Sequence, residues 1–235
     1  MKKLIVLEWK KNRIRRYALG ALVITVLAAL FLFAQCYLGI ANDPVTGVPD
    51  AAPGTFNITS QVELVTNVCF MVFTCVMLAG CVTGAYRSKH RALLFTYPVR
   101  RKTLLAAQML AVWLFAFFSM ALAKLAVYGL LFAAGQVLTP DFPLDYSMAA
   151  PGIYGQILLK SAVTVSAAFI ALPVGRLFRS RRATILASFF LLLVMNGTVG
   201  PFSLADNAAV PPLLAAAGLG CGALSVAGIE EQDIL

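Results

Sequence analysis

Six long apolar stretches divide the chain, and each is long enough to cross a lipid bilayer as a helix, which takes about 20 mostly apolar residues. Hydrophobic residues make up 60% of the sequence and charged residues only 12%, a balance that a water-soluble fold of this length could not bury. We therefore predict an all-α, polytopic integral membrane protein that forms one transmembrane domain over residues 1–235. The predicted spans are about 17–41, 62–85, 104–136, 153–175, 183–201 and 210–229.

Basic residues lie almost entirely on one side of these spans. All but two of the 19 Lys and Arg residues precede the first span, lie between the second and third, or lie between the fourth and fifth. The other loops carry Asp but no Lys or Arg. Because basic loops stay in the cytoplasm, the pattern predicts six transmembrane helices with both termini cytoplasmic. The net charge of +9 is then a topology signal, and we expect no nucleic-acid partner.

The first sixteen residues are basic and partly apolar. Apolar and charged side chains alternate loosely from Lys3 to Lys11, which favours an interfacial helix in residues 1–16, lying in the plane of the lipid head groups. A plain basic tail is the alternative. The apolar run that follows is too long for a secretory signal peptide, so we expect it to be retained.

Motifs for catalysis are missing from the sequence. The single histidine, His90, lies in a basic loop, so neither a His-Glu-x-x-His zinc site nor a Ser-His-Asp triad can form. The five cysteines fall within predicted spans and are expected to pack as small apolar residues. No stretch matches the Gly-x-x-x-x-Gly-Lys-Ser/Thr phosphate loop. We expect no catalytic residue, no metal site and no cofactor on this chain, so ATP-driven transport would need another subunit to bind the nucleotide.

Two lysines interrupt the apolar pattern. Lys124 lies about 20 residues into the third span and Lys160 a few residues into the fourth, so both belong to the outer third of the membrane. A lysine inside a bilayer is costly and is therefore a candidate for function. If the two lysines face the bundle, they would line a substrate pathway for anionic head groups or acidic parts of a substrate. The alternative is that each extends to the nearby interface.

The segment between the second and third spans, residues 86–102, combines basic charge with a compact apolar surface. That surface comprises Leu93, Leu94, Phe95 and Tyr97. Charge places the segment at the cytoplasmic face, where exposed apolar side chains predict a protein partner. Pro98 would end a short amphipathic helix, because proline disfavours helical geometry in the residue before it. A basic loop with incidental apolar residues is the alternative.

This segment resembles a motif at the same place in the permease subunits of type-2 ABC exporters, Leu-Leu-x-x-Tyr/Leu-Pro-Val/Ile-x-Arg. The matching residues run Leu93-Leu94-Phe95-Thr96-Tyr97-Pro98-Val99-Arg100-Arg101-Lys102. The six spans, the basic amino-terminal helix and the acidic-apolar end at Asp233-Ile234 are also similar to that family. Two positions depart from it: Ala85-Tyr86-Arg87 stands where many members have a Glu, and Gln108 stands where they have a Lys.

The resemblance implies the transmembrane permease subunit of an ATP-binding-cassette exporter, which is not an enzyme by itself. Segment 86–102 would be the coupling helix that docks on a partner ABC ATPase subunit, which would bind ATP and magnesium. The implied coupling residues are Arg87, Lys89, Arg91, Leu93, Leu94, Phe95, Thr96, Tyr97, Pro98 and Arg100. A second permease copy, identical or related, would complete a dimer in the lipid bilayer.

The expected location is the cytoplasmic membrane of a bacterium, as a multi-pass protein. The substrate would be an antimicrobial peptide, a drug or a lipid. The alternative function is an ATP-independent secondary transporter or channel, although such proteins usually place ionisable residues or broken helices near the membrane midplane.

Overall fold

Helices make up nearly all of the described structure. The computed structural model describes residues 2–11, 14–38, 58–83, 101–137, 146–178, 180–196, 198–199, 202–203 and 210–227. The helices are α1 (Lys2–Lys11), α2 (Ile14–Tyr37), α3 (Ile58–Leu78), α4 (Arg101–Val137), α5 (Pro151–Ala168), α6 (Ala171–Leu177), α7 (Arg181–Asn196) and α8 (Val210–Ala227). A π-helical turn, Ala79–Thr83, continues α3. The short strands β1 (Thr198–Val199) and β2 (Phe202–Ser203) pair antiparallel, with Thr198 opposite Ser203.

Four helical segments are long and apolar enough to cross a membrane. They are Ile14–Tyr37, Ile58–Val82, Thr103–Val137 and Pro151–Gly175. The two other apolar helices, α7 and α8, are shorter. This architecture confirms a helical protein of the membrane-embedded class, because helices satisfy their own backbone hydrogen bonds in lipid. The six-span count and the cytoplasmic termini stay predictions.

The helix α3 lies at the centre of the bundle. It contacts α2, α4, α5 and α7, and its residues Val62, Phe70 and Leu78 are almost completely buried. By contrast, α2 exposes a row of large apolar side chains that includes Leu19 and Leu27. A helix that is apolar all round and exposed on one side is typical of a bilayer environment. The packing therefore places α3 inside and α2 at the periphery.

A break separates α5 from α6 at Phe169 and Ile170. Pro173 has no N–H to donate to the carbonyl of Phe169, and in a straight helix its ring would collide with that carbonyl. The N–H of Leu172 instead donates to the oxygen of Phe169 at 3.0 Å, which closes a tighter turn. The predicted span 153–175 is therefore two helices joined by a short turn.

Small residues let α8 approach α5 closely. A Cβ atom added to Gly218 would collide with the backbone carbonyl of Ser166 on α5. Gly220, two residues later, has open space at the same position, with nothing within 4 Å. Close backbone approach at small residues is a common way for helices to associate in membranes. Gly218 therefore fixes the distance between these two helices.

Candidate functional site

The predicted coupling contact lies outside the described residues. It comprises Arg87, Lys89, Arg91, Leu93, Leu94, Phe95, Thr96, Tyr97, Pro98 and Arg100. The described chain resumes at Arg101, the first residue of α4. The role of these ten residues stays a prediction. Among the described residues, Lys124 and Lys160 and their contacts form the candidate site.

Lys124 is fully buried and forms an ion pair with Glu63. Its Nζ donates to Oε2 of Glu63 at 2.6 Å, and the exposed fractions of the two side chains are 0% and 12%. Tyr128, one turn farther along α4, donates its hydroxyl to Oε1 of Glu63 at 3.5 Å. Lys124 therefore faces the bundle and does not extend to the interface. The carboxylate offsets the cost of an ammonium in an apolar interior.

Lys160 approaches the other oxygen of the same carboxylate. Its Nζ lies 3.9 Å from Oε1 of Glu63, and its side chain is 45% exposed. The Glu63 carboxylate thus joins charged side chains from α4 and α5 to α3. Two lysines share one carboxylate, so the formal charges of the Glu63 cluster, defined as Glu63, Lys124 and Lys160, sum to +1.

Polar side chains extend the cluster between α3 and α5. Thr164, one turn after Lys160, donates to the Lys160 carbonyl at 2.9 Å and also lies 3.4 Å from Oδ1 of Asn67 on α3. The hydroxyl of Ser161 is buried and has no hydrogen-bond partner among the residues that the structure describes. A hydroxyl in this state keeps an unused donor, which is uncommon in a packed interior.

Tyr146, in the segment that precedes α5, packs against Tyr128. Its hydroxyl donates to the carbonyl of Tyr128 at 2.8 Å, and the two rings pack edge to face with centroids 4.9 Å apart. Tyr128 is in turn almost completely buried. These contacts hold the backbone and the ring of Tyr128, the residue whose hydroxyl donates to Glu63.

The helix α1 docks near the beginning of α4 through two side chains. Nε2 of Gln108 donates to Oε1 of Glu8 at 3.1 Å, and Nε1 of Trp9 donates to the carbonyl of Ala111 at 3.2 Å. Glu8 and Gln108 are both buried. Gln108 and Lys124 are 16 residues apart on one helix, so the contact of Glu8 with Gln108 and that of Glu63 with Lys124 lie about 24 Å apart along α4. The location of α1 in the head-group plane stays a prediction.

Glu63 is the residue of the candidate site that was not predicted from the sequence. Only the two lysines stand out from the apolar pattern, and Glu63 lies close to the end of its predicted span. A signal was nevertheless available, because a buried lysine needs a nearby carboxylate and Glu63 is the one acidic residue within any predicted span. The substrate-pathway role of Lys124 and Lys160 stays a prediction.

The chain is similar to a protein of Bacillus subtilis. That protein, from strain 168, is an uncharacterised protein named YcbO, and the match is 26% identical over 238 residues. It covers 98% of this chain and 99% of YcbO. No family model matches the sequence, and no solved structure matches it.

Proposed function

We propose that this chain is the permease subunit of an ATP-driven exporter of the type-2 ABC class. In this proposal six helices cross the cytoplasmic membrane, both termini lie in the cytoplasm, and a second permease copy completes the dimer. A separate ATPase subunit binds ATP and magnesium. The exported substrate is an amphiphile such as an antimicrobial peptide, a drug or a lipid.

The length and anchoring of α4 carry the proposal. This helix runs for 37 residues without interruption from Arg101, at the end of the basic segment 86–102. It is about 55 Å long, whereas the hydrocarbon core of a bilayer is about 30 Å thick. The helix α1 is attached near its beginning, and Lys124 lies about 35 Å from Arg101 along its axis. One stiff element thus connects the proposed docking segment to the Glu63 cluster.

The proposed mechanism is a rigid tilt of this element. ATP-driven closure of two ATPase subunits would push on residues 93–97, and α4 would transmit the push along its length. Since Glu63 joins α3 to both α4 and α5, a tilt of α4 strains or breaks the contacts within the Glu63 cluster. Access to the space between these helices would change from one side of the membrane to the other.

The shorter helices α7 and α8 can still act as spans. With 16 residues, α7 covers about 24 Å, and the bilayer can thin locally around a short helix. It begins with Arg181 and Arg182, which are expected to stay at the cytoplasmic face. The β1–β2 pairing follows it at the other end. This arrangement supports six crossings.

Co-purification tests the proposal directly. The tagged chain, extracted in mild detergent from its own host, is expected to bring down a protein that contains the phosphate-loop motif. Replacing Leu94 and Phe95 with Asp should abolish this association without preventing membrane insertion. Leu177 and Phe178 provide a matched control, because they form an exposed Leu-Phe pair at the end of α6. Retained binding by the first variant would show that the contact lies elsewhere.

A secondary transporter or channel is the second candidate function. The Glu63–Lys124 pair favours it, because intramembrane ionisable groups often couple ion movement to transport. Ion flux through liposomes that contain only the purified chain distinguishes the two candidates. Robust flux without an ATPase would support this second function and contradict the first.

A further inference from the structure

Lys160 has the least compensated charge in the Glu63 cluster. Lys124 takes the short contact at 2.6 Å, and Tyr128 donates to the remaining carboxylate oxygen. Lys160 approaches that same oxygen only to 3.9 Å, and its side chain is 45% exposed. The excess positive charge of the cluster is therefore concentrated at its accessible edge. An anionic group that reaches Lys160 can bind there without breaking the Glu63–Lys124 pair.

An unused hydroxyl belongs to the residue after Lys160. Ser161 follows Lys160 on α5, and its buried hydroxyl has no hydrogen-bond partner within the described part of the chain. Both residues lie within one turn of Thr164, which meets Asn67 on α3, so this part of α5 faces α3. Phosphate and carboxylate oxygens accept hydrogen bonds from both ammonium and hydroxyl groups. The accessible donor for an anionic head group is therefore the Lys160 ammonium, and the Ser161 hydroxyl lies buried on the α3 side of the helix.

An exposed apolar side chain precedes Lys160 on α5, since Leu159 is 68% exposed. Tyr154 and Leu158, 40% and 49% exposed, continue the exposed surface of α5 but lie about 120–160° around the helix axis from Lys160. Lys160 lies nine residues after Pro151, about 14 Å along the axis from the beginning of α5. An amphiphile bound there contacts both the Lys160 ammonium and exposed apolar surface of α5. A small inorganic anion would contact only the ammonium.

We propose that Lys160 and its surroundings form a binding site for the anionic head group of an amphiphile. The phosphate or carboxylate binds the Lys160 ammonium, and the hydrocarbon chain lies along the exposed surface of α5. The site itself needs no ATPase. The further step, that such anionic amphiphiles are the exported substrates, rests on the proposed function.

Two measurements on the purified full-length chain in neutral detergent test the site. The first measures binding of phosphatidylglycerol and of phosphatidylcholine with identical acyl chains by native mass spectrometry. The second measures acetylation of Lys160 by an amine-reactive reagent. Phosphatidylglycerol is expected to bind more tightly and to protect Lys160, whereas phosphatidylcholine should give little protection, because it carries no net negative charge.

Variants of Lys160 and Lys10 test whether the anionic lipid binds at Lys160. Lys160→Gln should lower the affinity for phosphatidylglycerol about fivefold, the usual contribution of one basic residue to an anionic lipid. Lys160→Arg should keep the affinity, because it keeps the charge. Lys10→Gln removes an exposed lysine from α1, near the other end of α4, and should leave the protection of Lys160 unchanged.

Three results would overturn the proposal: equal protection by phosphatidylcholine, unchanged affinity in Lys160→Gln, or protection by inorganic phosphate equal to that by phosphatidylglycerol at the same concentration. The last result would indicate a simple anion site. Failure of an ATPase to co-purify would affect none of these measurements. The binding site and the proposed export function can therefore fail separately.

Discussion

Removing the Glu63 carboxylate is expected to destabilise the protein more than removing the Lys124 ammonium. In Glu63→Gln, Lys124 stays fully buried with only a neutral amide to accept from it, and Lys160 adds repulsion. In Lys124→Met, Glu63 keeps the Tyr128 hydroxyl and the second ammonium at 3.9 Å. The expected losses of stability differ for this reason: in Lys124→Met the Glu63 carboxylate still has Lys160 as a charged partner, whereas in Glu63→Gln the Lys124 ammonium loses the carboxylate that it contacts.

The magnitude follows from the geometry of the pair. At 2.6 Å the Coulomb attraction is about 6 kcal/mol for an effective dielectric constant of about 20, and desolvation of both groups offsets part of it. Loss of one partner of a buried pair typically costs about 3–5 kcal/mol. We expect about 4 kcal/mol for Glu63→Gln and about 2 kcal/mol for Lys124→Met. For a chain of this size these losses correspond to decreases in melting temperature of about 8–16 °C and about 4–8 °C.

Thermal unfolding of the detergent-solubilised protein, followed by size-exclusion chromatography, measures both decreases. The double variant Glu63→Gln/Lys124→Met should recover most of the stability, since it leaves no unpaired charge in the buried pair. Lys10→Gln is the matched control for loss of an exposed lysine and should change the free energy of unfolding by less than about 0.5 kcal/mol. Equal losses in the two single variants, or a double variant as unstable as the sum of both, would refute the reasoning.

Two further variants test helix packing. Trp9→Phe removes the N–H that donates to the Ala111 carbonyl and should lower the free energy of unfolding by about 1 kcal/mol. Amide hydrogen exchange should become faster in α1 and stay unchanged in α3. Unchanged exchange in α1 would contradict the docking of α1 on α4. Gly218→Ala should destabilise the protein by about 1–3 kcal/mol, because the new methyl group pushes α8 away from Ser166. Gly220→Ala is its control and should be neutral or slightly stabilising in the same melting assay, because that position is open.

Apolar stretches predict where the helices lie because hydrophobicity is a local property of the chain. The predicted spans overlap α2, α3, α4, α5, α7 and α8. The predicted ends of these spans are less accurate than their positions. For example, α2 begins at Ile14 and includes Arg15 and Arg16, whereas its predicted span begins at residue 17. A helix can continue through charged residues past the membrane boundary, so apolar length underestimates helix length.

Contacts between helices could not be predicted in the same way. The Glu63–Lys124 pair depends on the rotation of α3 and α4 about their axes, which packing across the whole bundle determines. The break at Phe169 had a local signal in Pro173, but a proline at that position is also compatible with a helix end. The docking of Glu8 on Gln108 joins residues 100 positions apart, and no pattern within either segment specifies it.

Reconstitution in liposomes tests the proposed function most directly. The purified chain is compared alone and together with the phosphate-loop protein that co-purifies with it, and both ion flux and ATP hydrolysis are measured. The proposal predicts no ion flux from the chain alone, and ATP hydrolysis that rises when both subunits are present and falls in the Leu94→Asp/Phe95→Asp variant. Robust ion flux through liposomes containing only this chain would contradict it.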